Sequence, residues 1–162
     1  MMTESESAFV EEMGQALASY GMTPMAGRMW GWLLICEPPE QTAAELADAL
    51  KASRGSISGT ARMLANAGMI RRTTRRGDRR EYFSVAPETF EQFLAGAGRV
   101  YRAFREIAGR GLIAIQDRPA SSRERLQEFH DLFLFVEQEV PAILGQFLLE
   151  RAGNAGRKDP AG

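Results

Sequence analysis

The sequence predicts a mainly α-helical chain with one small β-hairpin: a winged helix-turn-helix with long helices at both ends. Three observations predict it. Between Thr42 and Gly68 two short helical patterns are separated by a brief turn, the footprint of a helix-turn-helix. The next stretch, MIRRTTRRGDRREYFSV, has β-branched and aromatic arms around Gly77-Asp78, the pattern of a hairpin wing. Apolar residues at helical spacing precede this region and follow it for more than sixty residues.

The elements follow in order. Phe9, Val10, Met13, Ala16, Leu17 and Tyr20 recur at three- and four-residue spacing, so a first helix is expected over Ser7 to Tyr20, ended by Gly21. Pro24 suits the first turn of a second helix, where its missing N–H has no intrahelical partner. That helix is apolar nearly all round, is expected to be buried, and stops at Pro38-Pro39. Thr42 and Glu45 have the spacing of a capping box, opening a third helix over Ala43 to Leu50 that packs through Leu46 and Leu50. Ser53 is the expected N-cap of a fourth helix that ends where Gly68 can turn left-handed.

At 100° per residue, Ile57, Ala61 and Leu64 fall on one side of the fourth helix, and Gly55, Gly59, Arg62 and Asn66 on the other, flanked by Ser56 and Ser58. Small residues let a helix approach base edges closely, and arginine and asparagine can make bidentate contacts to guanine and adenine. The same face is also compatible with plain solvation. The wing tip carries Arg75, Arg76, Arg79 and Arg80, which two strands cannot bury without partners, so they are expected to project to solvent or phosphate. A wing-tip arginine suits a narrow minor groove.

Beyond Pro87, Phe90, Phe93, Leu94, Ala97, Val100, Tyr101, Phe104, Ile107 and Ala108 mark one apolar side of a long helix, broken at Arg118-Pro119. Ser121 and Glu124 offer a second capping box. Leu126, Phe129, Phe133, Val136, Val140, Ile143 and Phe147 then alternate at three and four residues, a heptad seam that Leu132, Leu134 and Phe135 widen beyond what one helix covers. A dimer interface is expected along this seam and through Phe9 and Met13. Pro141 is expected to kink the helix near Glu137 or mark a restart. The expected organisation is therefore a dimerisation helix over 1–21, a DNA-binding domain over 22–86, a helical dimerisation region over 87–152 and a disordered tail over 153–162.

The chain has 162 residues and a formal net charge of −1, but the average hides an asymmetry. From Ser53 to Arg80 eight arginines face one carboxylate, Asp78, for a local charge of +7, whereas Glu4, Glu6, Glu11 and Glu12 crowd the start. A local positive field steers a polyanion to one face whatever the whole-protein sum. The acidic opening is unlike a signal peptide, no apolar stretch is expected to reach bilayer-spanning length, and a single cysteine suits a reducing compartment, so a cytoplasmic location without membrane partners is expected.

These residues bear a family resemblance. GMTPMAGRMWGWLL, ELADALKASRGSISGTARMLANAGMIRR and the wing GDRREYF resemble the GbsR branch of the MarR-type winged-helix transcriptional regulators, over about residues 9 to 150. The resemblance implies that Asp78 and Arg80 form the family's Asp-x-Arg wing signature, with Arg80 entering the minor groove and Asp78 orienting it. It implies that Ser53, Arg54, Ser56 and Ser58 open the recognition helix toward phosphates and base edges. It further implies a homodimer built from the first and last helices, acting as a repressor released by a small molecule, often for transport or osmoprotectant genes. Gly96, Gly98, Gly109 and Gly111 make the fifth helix more glycine-rich than the resemblance leads one to expect.

An enzyme is not expected. There is one histidine, His130, no histidine–cysteine cluster with metal spacing and no Gly-rich phosphate loop, so neither metal nor cofactor is anticipated. Cys36, after Leu33-Leu34-Ile35, reads as core rather than as a redox sensor. Tyr20, Met25, Met29 and Trp30 form an aromatic and methionine cluster that reads either as ordinary core or as an effector pocket able to hold a cation against aromatic faces. The alternative function is a winged-helix protein-interaction module without specific DNA binding, which weaker salt and sequence dependence would distinguish.

Overall fold

The computed structural model describes residues 2 to 155. Its elements are α1 (Glu4–Ser19), α2 (Pro24–Ile35), β1 (Gln41–Thr42), α3 (Ala43–Ala49), α4 (Arg54–Asn66), β2 (Arg71–Thr74), β3 (Glu81–Ser84), α5 (Pro87–Ala114) and α6 (Ala120–Ala155). Two compact units divide the chain, Met1–Phe93 and Leu94–Gly162, so α5 begins in the first and continues into the second.

In the first unit the caps account for the helix boundaries. Thr3 and Glu6 form a capping box at α1, three residues ahead of the expected start. Thr23 caps α2, and Thr42 and Glu45 form the expected box at α3. Gly21 and Gly68 take left-handed φ values of 83° and 74° just past α1 and α4. Val10, Met29, Leu46, Leu50, Ile57, Leu64 and Met69 are fully buried in one core. α2 is less enclosed than its composition predicts, since Leu34 and Ile35 are exposed.

α1 and α2 cross closely because glycines stand at their contact. A Cβ on Gly27 would overlap the Met13 carbonyl oxygen and lie 2.7 Å from Gly14 Cα, and one on Gly31 would meet the Met13 Cβ at 2.9 Å. Arg28 links the layers: its Nε lies 2.8 Å from Glu11 Oε1 and its Nη2 donates to the Leu50 carbonyl at 3.0 Å.

The sheet is antiparallel in the order β1-β3-β2, with Thr73 and Thr42 both opposite Tyr82. The hairpin expected from the sequence is therefore joined by a two-residue strand preceding α3, too short to carry a pattern of its own.

In the second unit Tyr101 and Phe104 of α5 pack rings against Phe129 and Phe133 of α6, with centroids 4.6 to 6.1 Å apart across the cluster. Part of the expected seam is thus covered within the chain. Arg102 and Arg105 both donate to Glu137, at 2.7 and 2.6 Å. α6 begins at Ala120, so Ser121 is its second residue and not its cap. The helix continues through Pro141, which removes one donor without ending it. It also contains 153–155, the first residues of the expected tail; the rest of that tail lies outside the described residues.

One expectation is corrected outright. Ala120–Arg151 is long and apolar enough to cross a membrane by length and composition, because the seam and its widening residues fall in one run. None of its most apolar window is buried in the single chain.

The α1–α2 crossing generates a stability prediction. Gly27→Ala should lower unfolding free energy by about 1–3 kcal/mol or more, since backbone rather than a flexible side chain must move. A urea midpoint equal to that of the parent protein would contradict the close crossing.

Candidate nucleic-acid interface

The site is built on α4 and the hairpin. Ser53 caps α4, its hydroxyl accepting from the Ser56 N–H at 3.2 Å, so this side chain is used within the helix start. Ile57, Thr60, Ala61 and Leu64 are buried and fix one face inward. The opposite face then has no choice but to point out: Gly55, Ser56, Ser58, Gly59, Arg62 and Asn66 are all exposed, as is Arg54. A Cβ on Gly55 or Gly59 would meet nothing within 4 Å. Each glycine costs about 1 kcal/mol relative to alanine in a helix interior. Their smallness serves no packing inside the chain and leaves the backbone open to a body approaching from outside.

The wing turn is closed by the Asp78 N–H donating to the Arg75 carbonyl at 3.0 Å, with Gly77 at φ 82°. Asp78 is the hub. Its Oδ1 accepts from the Arg80 backbone N–H at 2.9 Å, and both carboxylate oxygens accept from the Arg80 guanidinium at 2.7 to 3.0 Å. Oδ2 also accepts from the Tyr82 hydroxyl at 2.7 Å. Arg80, then its backbone N–H, then Tyr82 hold the Asp78 carboxyl far below the usual carboxylate range; the same bonds push the Arg80 guanidinium and the Tyr82 phenol upward. The Arg80 side chain is nevertheless 66 % exposed, so it is oriented and still available.

The other arginines divide into two groups. Arg75, expected to project from the tip, is drawn back: its Nη2 lies 2.6 Å from Glu40 Oε2 and its guanidinium sits 4.0 Å above the Tyr82 ring. Arg71 pairs with Glu88 and Arg72 with Glu81. Arg54, Arg62, Arg76 and Arg79 make no ion pair among the described residues. The +7 of the segment is therefore locally reduced, and its unneutralised part lies on α4 and at the wing tip.

Sequence reasoning missed Tyr82 and Glu40. Tyr82 had a signal, as an aromatic four residues after Asp78 at an inward position of β3. Glu40 had none, because its partner is 35 residues away.

The remaining candidate residues are dispersed. Met29 is fully buried core, Tyr20 is 86 % exposed, Met25 is half-buried, and Trp30 packs edge-on to Phe90 at 6.5 Å. A cavity of about 580 Å³ lies instead beside α3, lined by Arg28, Trp32, Gln41, Glu45, Asp48 and Lys51 among others. Phe9 and Met13 turn toward Gly31 of α2 in the same chain. Along α6, Leu126, Phe133, Val136 and Val140 are half-buried, while Phe129, Ile143 and Phe147 are exposed. Cys36 is buried at the end of α2, and burial pushes its thiol up to about 11, which keeps it protonated at neutral pH.

Comparison with known proteins converges with this geometry. A family model described as MmpR5-like MarR family transcriptional regulator matches residues 88–150, and a MarR family model matches 33–82. The HTH-type transcriptional regulator MmpR5 of Mycobacterium tuberculosis (strain ATCC 25618 / H37Rv) is 42% identical over 139 residues, covering 86% of this chain and 84% of that protein. A crystal structure described as that of a transcriptional regulator superposes with a TM-score of 0.83 at 40% identity, over 90% of this chain and 99% of the other. The chain belongs to the MarR family of winged-helix, DNA-binding transcriptional regulators.

Proposed function

We propose that this chain is a cytoplasmic, non-enzymatic, homodimeric repressor that recognises a specific double-stranded operator and is released by a small-molecule effector. The observation that carries the operator reading is the outward face of α4: exposed Gly55 and Gly59 that nothing in the fold requires, with unpaired Arg62 and exposed Asn66 beside them. In this reading α4 enters the major groove, where Arg62 and Asn66 meet base edges. Arg80, held by Asp78, enters the flanking minor groove. Arg54, Ser56, Ser58, Arg76 and Arg79 serve phosphates, while Ser53 acts by capping α4 and Arg75 by bracing the wing.

The homodimer is supported by apolar surface that the single chain leaves uncovered. Val100, Ile107 and Ile113 on α5, and Leu132, Phe135, Ile143 and Leu149 on α6, are each at least half exposed. A second copy covering this surface accounts for α6 being apolar enough to span a membrane. Residues 87–152 are accordingly read as a dimerisation segment, and 1–21 is read as a dimerisation helix and 22–86 as the DNA-binding domain on the resemblance of the motifs quoted above. Two such domains would address half-sites about one helical turn, roughly 34 Å, apart. Repression, effector release and the GbsR branch rest on the resemblance of the motifs quoted above. The cavity beside α3 falls within the ordinary size range of ligand sites.

The test is fluorescence anisotropy with a duplex that the protein itself selects from a randomised library, against a scrambled duplex, at low and physiological salt. About a thousandfold or greater preference with a steep salt slope is expected. Equal affinity for both duplexes would favour a protein-interaction module. Arg80→Ala should cost about 1–3 kcal/mol of binding without unfolding the protein, and Arg62→Ala should relax base preference by a similar amount. Gly59→Ala separates function from fold: the helix gains about 0.5–1 kcal/mol, and operator affinity falls as the added methyl blocks close approach. A Gly59→Ala protein that binds as tightly as the parent would remove α4 from the groove.

A further inference from the structure

The wing carries more hydrogen-bonding structure than the pairing of Asp78 with Arg80 requires. Tyr82 lies on the central strand β3, paired across to Thr73 on one side and Thr42 on the other, and is only 7 % exposed. Its hydroxyl donates to Asp78 Oδ2 at 2.7 Å, on the oxygen that also receives Arg80 Nη2. Its ring lies 4.0 Å beneath the Arg75 guanidinium and 5.6 Å from that of Arg80. Arg75 in turn is held at 2.6 Å by Glu40, immediately ahead of β1.

An exposed Asp–Arg pair two residues apart at a hairpin tip is by itself weakly ordered, because each partner can exchange the other for water. The buried phenol changes that. It occupies one lone pair of the carboxylate from the sheet side, so Asp78 cannot rotate away without breaking that hydrogen bond. The carboxylate then offers Arg80 a fixed two-oxygen fork.

We propose that Tyr82 is a positioning residue for DNA binding, its hydroxyl locking the Asp78 fork that aims Arg80 outward while its ring braces the arm carrying Arg75. The inference rests on the reading of Arg80 as the minor-groove residue. It adds that reach and direction at the wing tip are set from the centre of the sheet, and that Arg75 spends its charge on the scaffold. Two arginines adjacent in sequence to the same turn thus have different tasks: Arg75 binds inward to Glu40 and the ring, and Arg80 binds the fork with its outer side free.

The test is a double-mutant cycle on the full chain with Tyr82→Phe and Arg80→Ala, using a duplex that the parent protein selects from a randomised library. Tyr82→Phe keeps the ring and removes only the hydroxyl. Its affinity should fall about three- to tenfold as Arg80 loses its preset direction, while thermal stability should drop only slightly, on the scale of one net hydrogen bond. In the Arg80→Ala background the same substitution should have no further effect on affinity, because the residue it positions is gone. NMR titration should move the Asp78 carboxyl upward in Tyr82→Phe. Full affinity in Tyr82→Phe, or a loss that persists undiminished in the Arg80→Ala background, would overturn the inference. If Arg80→Ala alone binds as tightly as the parent, the minor-groove reading fails as well, and that outcome is distinguishable from a failure confined to Tyr82.

Discussion

The burial of Ile57, Ala61 and Leu64 is the constraint on which the rest depends. These side chains fix the rotation of α4 about its own axis. With 100° between residues, the positions of Gly55, Gly59, Arg62 and Asn66 then follow without further interaction. The core that receives them is assembled from α1, α2, α3 and the sheet, and it includes Val10, Met29, Leu46, Leu50 and Phe83. Glycines at the α1–α2 crossing and the Arg28 contacts to Glu11 and Leu50 keep that support rigid. A face with poor helix formers and no internal partners can be presented because its stability comes from the other side of the helix.

Charge is distributed with the same economy. Arginines close to the strands are neutralised by Glu40, Glu81 and Glu88, which keeps the hairpin from repelling itself. Those left unpaired lie on α4 and at the wing tip, where a polyanion would supply the missing partners. Arg80 is intermediate: ion-paired to Asp78, yet mostly exposed. The pairing orders a side chain that would otherwise lose conformational freedom on binding.

Local physics was legible in the sequence. The Thr42–Glu45 box, the Ser53 cap, the left-handed turn at Gly68 and the two faces of α4 all depend on residues within one or two helical turns of each other. The link between Asp78 and Arg80 spans two residues and entered through the family resemblance. What was not legible depends on chain segments that meet only in the fold. Glu40 reaches Arg75 across 35 residues, and β1 exists because β3 offers it an edge. Methionine and aromatic residues near α2 read first as core and second as pocket, and only packing separates buried Met29 from exposed Tyr20. In α6 the heptad pattern could not say which neighbour covers it; Phe129 and Phe133 meet α5 of the same chain, whereas Leu132 and Phe135 stay uncovered.

The most direct test of the central claim, that one face of α4 reads the major groove while the wing takes the flanking minor groove, is chemical footprinting of the protein on a duplex it selects. Methylation interference at guanine N7 reports the major groove, and hydroxyl-radical protection reports the minor groove and backbone. N7 interference is expected in two half-sites about one helical turn apart, with minor-groove protection outside each that disappears in Arg80→Ala. Backbone protection along the duplex without N7 interference would contradict it.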